Sequence, residues 1–155
     1  MKERSRRKPD SAEGESLFKT ILVPTDLQDK VGRALDIAVR MALREQGRIL
    51  LLHVIQAIED VGEREFEPFY DRLRRRADEK MQDMEVRYAD SQVPIERHIV
   101  LGDRVREIID FAGRQEVDVI VLGSHKIDPS DPAKGWATIS YRVAILAPCP
   151  VLMVK

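Results

Sequence analysis

Two clusters of polar residues follow directly on apolar runs, and the second has the chemistry to handle an anion. The first is Pro24-Thr25-Asp26, after the run that starts at Lys19. The second is Leu122-Gly123-Ser124-His125-Lys126, after the run that starts at Val117. A loop of turn formers (Asp128, Pro129, Ser130, Asp131, Pro132, Gly135) separates it from Ala137-Thr138-Ile139. Glycine lets the backbone approach an anion closely. The Ser124 and Thr138 hydroxyls can hydrogen-bond one, and Lys126 can act on it as a point charge. Thr138 also suits the N-cap of a helix running to Leu146. Strand, polar loop and helix start together offer free N–H groups and the positive end of a helix dipole. Asp26 reads two ways, as a carboxylate reaching a pocket or as the acid that caps the turn after its strand. No nucleophile elbow, Cys/His metal spacing or Walker lysine motif accompanies these residues. No catalytic residue and no metal-ligating set is therefore expected.

The elements that must position these clusters follow from hydrophobic pattern. Short runs rich in Val, Ile and Leu read as buried strands at 19–24, 48–54, 117–122 and 151–154. Ile95 to Leu101 alternates with polar residues and reads as an edge strand. Between the strands, Val31, Ala34, Leu35, Ala38, Met41 and Ala42 fall at helical spacing, predicting a helix from about Asp29 to Gln46 with Gly47 as its C′ stop. Phe66, Phe69, Tyr70, Leu73, Ala77, Met81, Met84 and Tyr88 predict a long amphipathic helix after a loop at 56–65. Gly102 is expected to start a third helix, with Val105, Ile108, Ile109 and Ala112 on one face.

Composition bounds the rest. At 155 residues the chain makes about one domain, and 26 basic against 27 acidic residues leave a net charge of −1. That balance argues against a nucleic-acid or anionic-membrane partner. The arginines 72, 74, 75 and 76 have Asp71, Asp78, Glu79 and Asp83 within helical reach, so they read as a solvated face. The apolar runs are too short for a membrane span. A single cysteine, Cys149, permits no internal disulfide and reads as a small apolar filler. His53, with no partner at metal spacing, reads as a core or rim histidine. Residues 1–16 carry charge without apolar periodicity and are expected to form a disordered tail before a domain at 17–155.

The chain from Phe18 to Lys155 resembles the universal stress protein family. Gly123-Ser124-His125 matches the start of that family's phosphate loop. Ala147-Pro148-Cys149-Pro150-Val151 matches the approach to its last strand, and Pro24-Thr25-Asp26 matches the end of its first. The resemblance implies an open, Rossmann-like parallel sheet of order 3-2-1-4-5 flanked by helices. In such sheets the ligand crevice lies beyond the strands' carboxyl ends, at the point where strand order reverses. The implied site is an adenine-nucleotide crevice of Pro24, Thr25, Asp26, Val54, Leu122, Gly123, Ser124, His125, Lys126, Ala137, Thr138 and Ile139. The Val54 backbone would face the adenine, and Asp26 the base, ribose or a metal.

Against the family pattern, Lys126 and Ala137 stand where two loop glycines are usual, the loop is one residue longer, and Arg104 replaces a proline. If each lost glycine strains the loop by about 1–3 kcal/mol, the pair costs about 2–6 kcal/mol, enough to turn micromolar affinity into millimolar. The resemblance thus implies a cytoplasmic stress-response protein without catalytic activity, holding ATP and its magnesium weakly or not at all. The alternative is an ATP-binding, slowly hydrolysing member with Lys126 replacing a loop glycine. A homodimer through the C-terminal strand is implied in either case.

Overall fold

The computed structural model describes residues 15–28, 32–58, 66–126, 128–136 and 138–155, with Trp136 described by its backbone alone. Five strands, β1 (Thr20–Pro24), β2 (Arg48–Gln56), β3 (Ile95–Gly102), β4 (Val119–Gly123) and β5 (Val151–Val154), form one sheet. Its order is β3-β2-β1-β4-β5, with every neighbouring pair parallel. The helices are α1 (Gly32–Glu45), α2 (Glu67–Val86), α3 (Arg104–Arg114), α4 (Ala133–Trp136) and α5 (Ile139–Leu146), with a 3-10 turn at Ala89–Ser91. This is the Rossmann-like architecture the resemblance implies.

Strand alternation divides the core into two layers. Ile21 and Val23, Ile49 and Leu51, and Val119 and Val121 point to one face, where they pack with Ala34, Leu35, Ala38 and Ala42 of α1 and Met81 of α2. Leu22, Leu50 and Leu52, Ile120 and Leu122 point to the other, against Val105, Ile108, Phe111 and Ala112 of α3 and Val143 of α5. The central strands are apolar on both faces because both faces are covered. Asp118 interrupts the fourth apolar run for a reason. Its Oδ2 accepts from the Thr20 N–H at 2.8 Å and its own N–H donates to the Thr20 carbonyl at 2.9 Å, tying the starts of β1 and β4 together.

Several boundaries differ from expectation. Gly47 is not the left-handed C′ residue of α1; Gln46 takes the positive φ, at 51°. Glycine is needed at 47 because an added Cβ would sit 2.6 Å from the Lys19 carbonyl oxygen and 3.0 Å from that of Phe18. Gly102 ends β3 at φ 157° instead of opening α3. Asp103 is the N-cap, accepting from the Arg106 N–H at 3.0 Å. The turn-rich loop after β4 contains the short α4, which was not expected. The arginines of α2 pair less than helical spacing suggests. Arg74 bonds Asp71 at 3.1 Å, but Asp78 is drawn with Glu85 to Arg97 of β3. Phe66 and Phe69 remain over a third exposed, leaving Tyr70, Ala77 and Met81 to bury the helix. At the N-terminus Ser16 Oγ donates to Glu45 Oε2 at 2.8 Å, within the stretch expected to be a disordered tail. Residues 1–14 lie outside the described residues.

Candidate functional site

Beyond the carboxyl ends of β1 and β4, where the strand order reverses, lies a cavity of about 620 Å³. That size suits a nucleotide-sized ligand. Pro24, Thr25, Asp26, Val54, Leu122, Gly123, Ser124, His125, Thr138 and Ile139, all expected from the sequence, line it together. Lys126 is exposed and forms no part of the lining. Ala137 lies outside the described residues.

The β1 side is a tight turn. The Thr25 N–H donates to the Leu52 carbonyl at 2.8 Å, and Thr25 Oγ1 accepts from the Leu27 N–H at 3.0 Å. Asp26 Oδ1 accepts from the Gln28 N–H at 3.0 Å, so this carboxylate caps the turn and also lines the cavity. The two readings of Asp26 are thus compatible. Together these bonds support Leu27 at its left-handed φ of 64°.

The β4 side is a chain of hydroxyls. Thr138 caps α5, with Oγ1 accepting from the Tyr141 N–H at 3.3 Å and donating to the Gly135 carbonyl at 2.7 Å. Buried Ser140 places its Oγ 3.3 Å from both Thr138 Oγ1 and Ser124 Oγ. Gly123 has ordinary backbone geometry, and a Cβ built on it would meet nothing within 4 Å. The protein's own packing does not require glycine there; the space above it belongs to the cavity.

Sequence reasoning missed Arg33, His53, Arg104, Ser140 and Lys155, which also line the cavity. Arg33 and Arg104 sit in the first turns of α1 and α3, both of which begin at the ligand end of a parallel sheet. Topology could have flagged them, but the alternation of core residues carries no signal for a rim position. His53 was read as a core or rim histidine, and at the end of β2 beside Val54 it lines the cavity. Its Nδ1 lies 2.9 Å from the Thr25 carbonyl. An acceptor there requires Nδ1 to carry the proton, which leaves Nε2 as the acceptor of the neutral ring.

Burial lowers the pKa of His53 and the nearby Arg104 charge adds to this, against the raising effects of the Thr25 carbonyl and Asp26. The unfolded chain therefore takes up this proton at a higher pH than the folded one. Folding stability should fall as pH drops below the ordinary histidine value of about 6.5. Denaturant midpoints of the unaltered protein and of His53→Gln, followed from about pH 8 to about pH 5.5, should diverge with the histidine protein losing more. Parallel curves would contradict this.

The rim is electropositive. Arg33, Arg104 and Lys155 face Asp26, the sole carboxylate side chain of the lining. Among the described residues none of these three cations lies in a salt bridge. Walls that are apolar over most of their extent, carrying more cationic than carboxylate side chains, focus a field that favours an anion. Cys149 is half-buried away from this rim, packed against the α3–α5 core layer. Burial, then Asp118, pushes its thiol up, against a lowering Ile120 contact, which keeps it in its unreactive form.

This sheet order and switch-point cavity define an open, Rossmann-like α/β domain, and comparison with known proteins narrows the class. The sequence model of the universal stress protein family matches residues 17–155. The chain belongs to that family. A universal stress protein of Thermus aquaticus is 31% identical over 142 residues, covering 90% of this chain and 100% of the relative. The universal stress protein YxiE of Bacillus subtilis is 26% identical over 149 residues, covering 90% and 100% respectively.

Among solved structures, a universal stress protein from Lactobacillus plantarum superposes with a TM-score of 0.72 at 25% identity, covering 89% of this chain and 98% of that one. One solved in complex with cAMP gives 0.67 at 20% identity, covering 90% and 98%. One from Archaeoglobus fulgidus in complex with dAMP gives 0.66 at 18%, covering 90% and 99%. These last two establish likeness of fold. Among the described residues no helix is long and apolar enough to cross a membrane.

Proposed function

We propose that this universal stress protein binds an adenine nucleotide in the cavity between β1 and β4 and acts through that binding, not through catalysis. The observation that carries the reading is the convergence of the Pro24-Thr25-Asp26 turn, Val54, the Gly123-Ser124 loop and Thr138 around one cavity of about 620 Å³. The complexes of two structural neighbours with cAMP and dAMP support an adenine ligand. Thr25, Asp26 and His53 line one side with acceptors suited to a base or ribose; Ser124, Thr138 and Ser140 offer hydroxyls on the other. Gly123 leaves room for the ligand between them. Where magnesium accompanies the phosphates, Asp26 is the carboxylate of the lining that can meet it.

The expected affinity lies between micromolar and millimolar, about −8 to −4 kcal/mol. Calorimetric titration with ATP, ADP and AMP tests this. The exposed position of Lys126 adds a specific expectation. Lys126→Gly should change affinity by less than about threefold, under about 0.7 kcal/mol. Absence of heat with all three nucleotides at millimolar concentration would overturn the reading.

A second feature concerns assembly. β5 pairs with β4 on one side, and no strand covers its other edge among the described residues. Leu152 is 41% exposed and Met153 37%, beside Ile145 and Leu146 of α5, which are more exposed still. An open apolar strand edge invites pairing. We infer a homodimer through this edge. Sedimentation should report a dimer at tens of micromolar, and Met153→Asp should shift it to monomer. A monomer in the unaltered protein would exclude the assembly.

A further inference from the structure

The loop lysine does not face the cavity, but a lysine from the edge of the sheet does. Lys155 follows β5, and its Nζ lies 3.4 Å from Ser124 Oγ and 3.5 Å from the His125 carbonyl. Arg33 of α1 donates from Nη1 to the main-chain oxygen of Lys155, the last residue of the sequence, at 2.9 Å. The Ser124 N–H donates to the Val154 carbonyl at 2.7 Å, so the end of β5 is fixed against the loop that follows β4. The main chain here is thus held by the Arg33 guanidinium and the Ser124 N–H, which places the cation at the mouth of the cavity and beside the hydroxyl chain.

Its donors are poorly used. An ammonium group has three N–H donors, and the two acceptors at 3.4 and 3.5 Å are at the long limit of hydrogen bonding. No carboxylate pairs with it among the described residues. A bond from such a cation to an oxyanion is shorter and about twice as strong as one between neutral groups. Ser124 can turn its hydroxyl to the same oxyanion, since its present bonds to the His125 carbonyl and Ser140 are both 3.3 Å long.

We propose that Lys155, seated by Arg33, holds the anionic group of the ligand together with Ser124, and that the site thereby selects a phosphate-bearing adenine nucleotide over the bare nucleoside. This rests on the adenine-nucleotide reading and assigns its phosphate contact to β5 in place of the loop lysine. One ammonium matches a single phosphate group, while the Arg33 guanidinium is engaged by the Lys155 main chain. A ligand with one phosphate fits this charge without needing the missing loop glycines.

The test is equilibrium binding of AMP and of adenosine to the unaltered protein and to Lys155→Met, Lys155→Arg and Lys126→Met. Lys155→Met should weaken AMP by about tenfold or more, the scale of one charged hydrogen bond. It should leave adenosine within about twofold. Lys155→Arg should hold AMP near the unaltered affinity, and Lys126→Met should change neither ligand. Unchanged AMP affinity in Lys155→Met, loss of AMP in Lys126→Met, or adenosine binding as tightly as AMP to the unaltered protein would each overturn this inference alone. Failure of both ligands to bind the unaltered protein would overturn the nucleotide reading and this inference with it.

Discussion

Replacing Gly123 with valine is expected to weaken adenine-nucleotide binding sharply while leaving the fold intact. A Cβ at this position meets no protein atom within 4 Å, and the residue lines the cavity at the end of β4. The branched side chain therefore enters the space assigned to the ligand and not the core. Overpacking a fitted site costs about 1–3 kcal/mol, so affinity should fall by about fivefold to 150-fold. Stability should hold or rise slightly, because the unfolded chain loses glycine's freedom and the backbone there is not left-handed. Paired calorimetric and thermal unfolding measurements separate the two effects. Unchanged affinity would mean that the ligand, if any, sits elsewhere.

The largest stability effect is expected from Gly47→Ala. The added methyl group would come within 2.6 Å of the Lys19 carbonyl oxygen and 3.0 Å of that of Phe18, and neither is the end of a flexible side chain. That same Lys19 carbonyl accepts from the Arg48 N–H at 2.7 Å, the first bond that sets β2 beside β1. Relief requires moving the start of a central strand pair. The expected cost is about 2–3 kcal/mol, or roughly 4–12 °C in Tm for a chain of this size. A fall of less than about 1 °C would show that the two strands shift apart freely.

Much of the frame was legible because it is written in short-range pattern. Unbroken Val/Ile/Leu runs announce strands buried on both faces, as β1, β2 and β4 are. The glycine and hydroxyl clusters at their ends announced the cavity, and Gly123, Ser124 and Thr138 do meet there. What failed depended on where a backbone carries a side chain. Lys126 lies two residues past Ser124, yet the path of the loop leaves it exposed. Lys155 is 31 positions from Ser124 and reaches it because β5 lies parallel beside β4. Nothing in local sequence marks such a pairing of strand ends. Gly47 was misassigned for a similar reason, since its constraint comes from Lys19, on another strand, and not from the helix it follows. Asp118 breaks an apolar run, and its reason, the pairing with Thr20, lies on another strand.

The exposed arginines of α2 show the limit of helical-spacing rules. Asp78 had nearer arginines on its own helix, yet it pairs with Arg97 of β3. A partner on a fixed strand is held in place, whereas exposed pairs along one helix gain only about 0.2–0.5 kcal/mol each. The same reasoning favours Lys155 over Lys126 at the cavity. A cation whose backbone is fixed by the sheet loses less freedom on binding than one on an exposed loop.

The most direct test of the central claim is the amide spectrum of the labelled protein recorded during titration with AMP. Resonances of Asp26, Val54, Gly123, Ser124, Thr138 and Lys155 should move together and saturate along one binding curve, while those of α2 and of the amino ends of the strands stay in place. Shifts confined to the exposed β5 edge or to α2, or no saturable shift at millimolar AMP, would contradict a nucleotide site between β1 and β4.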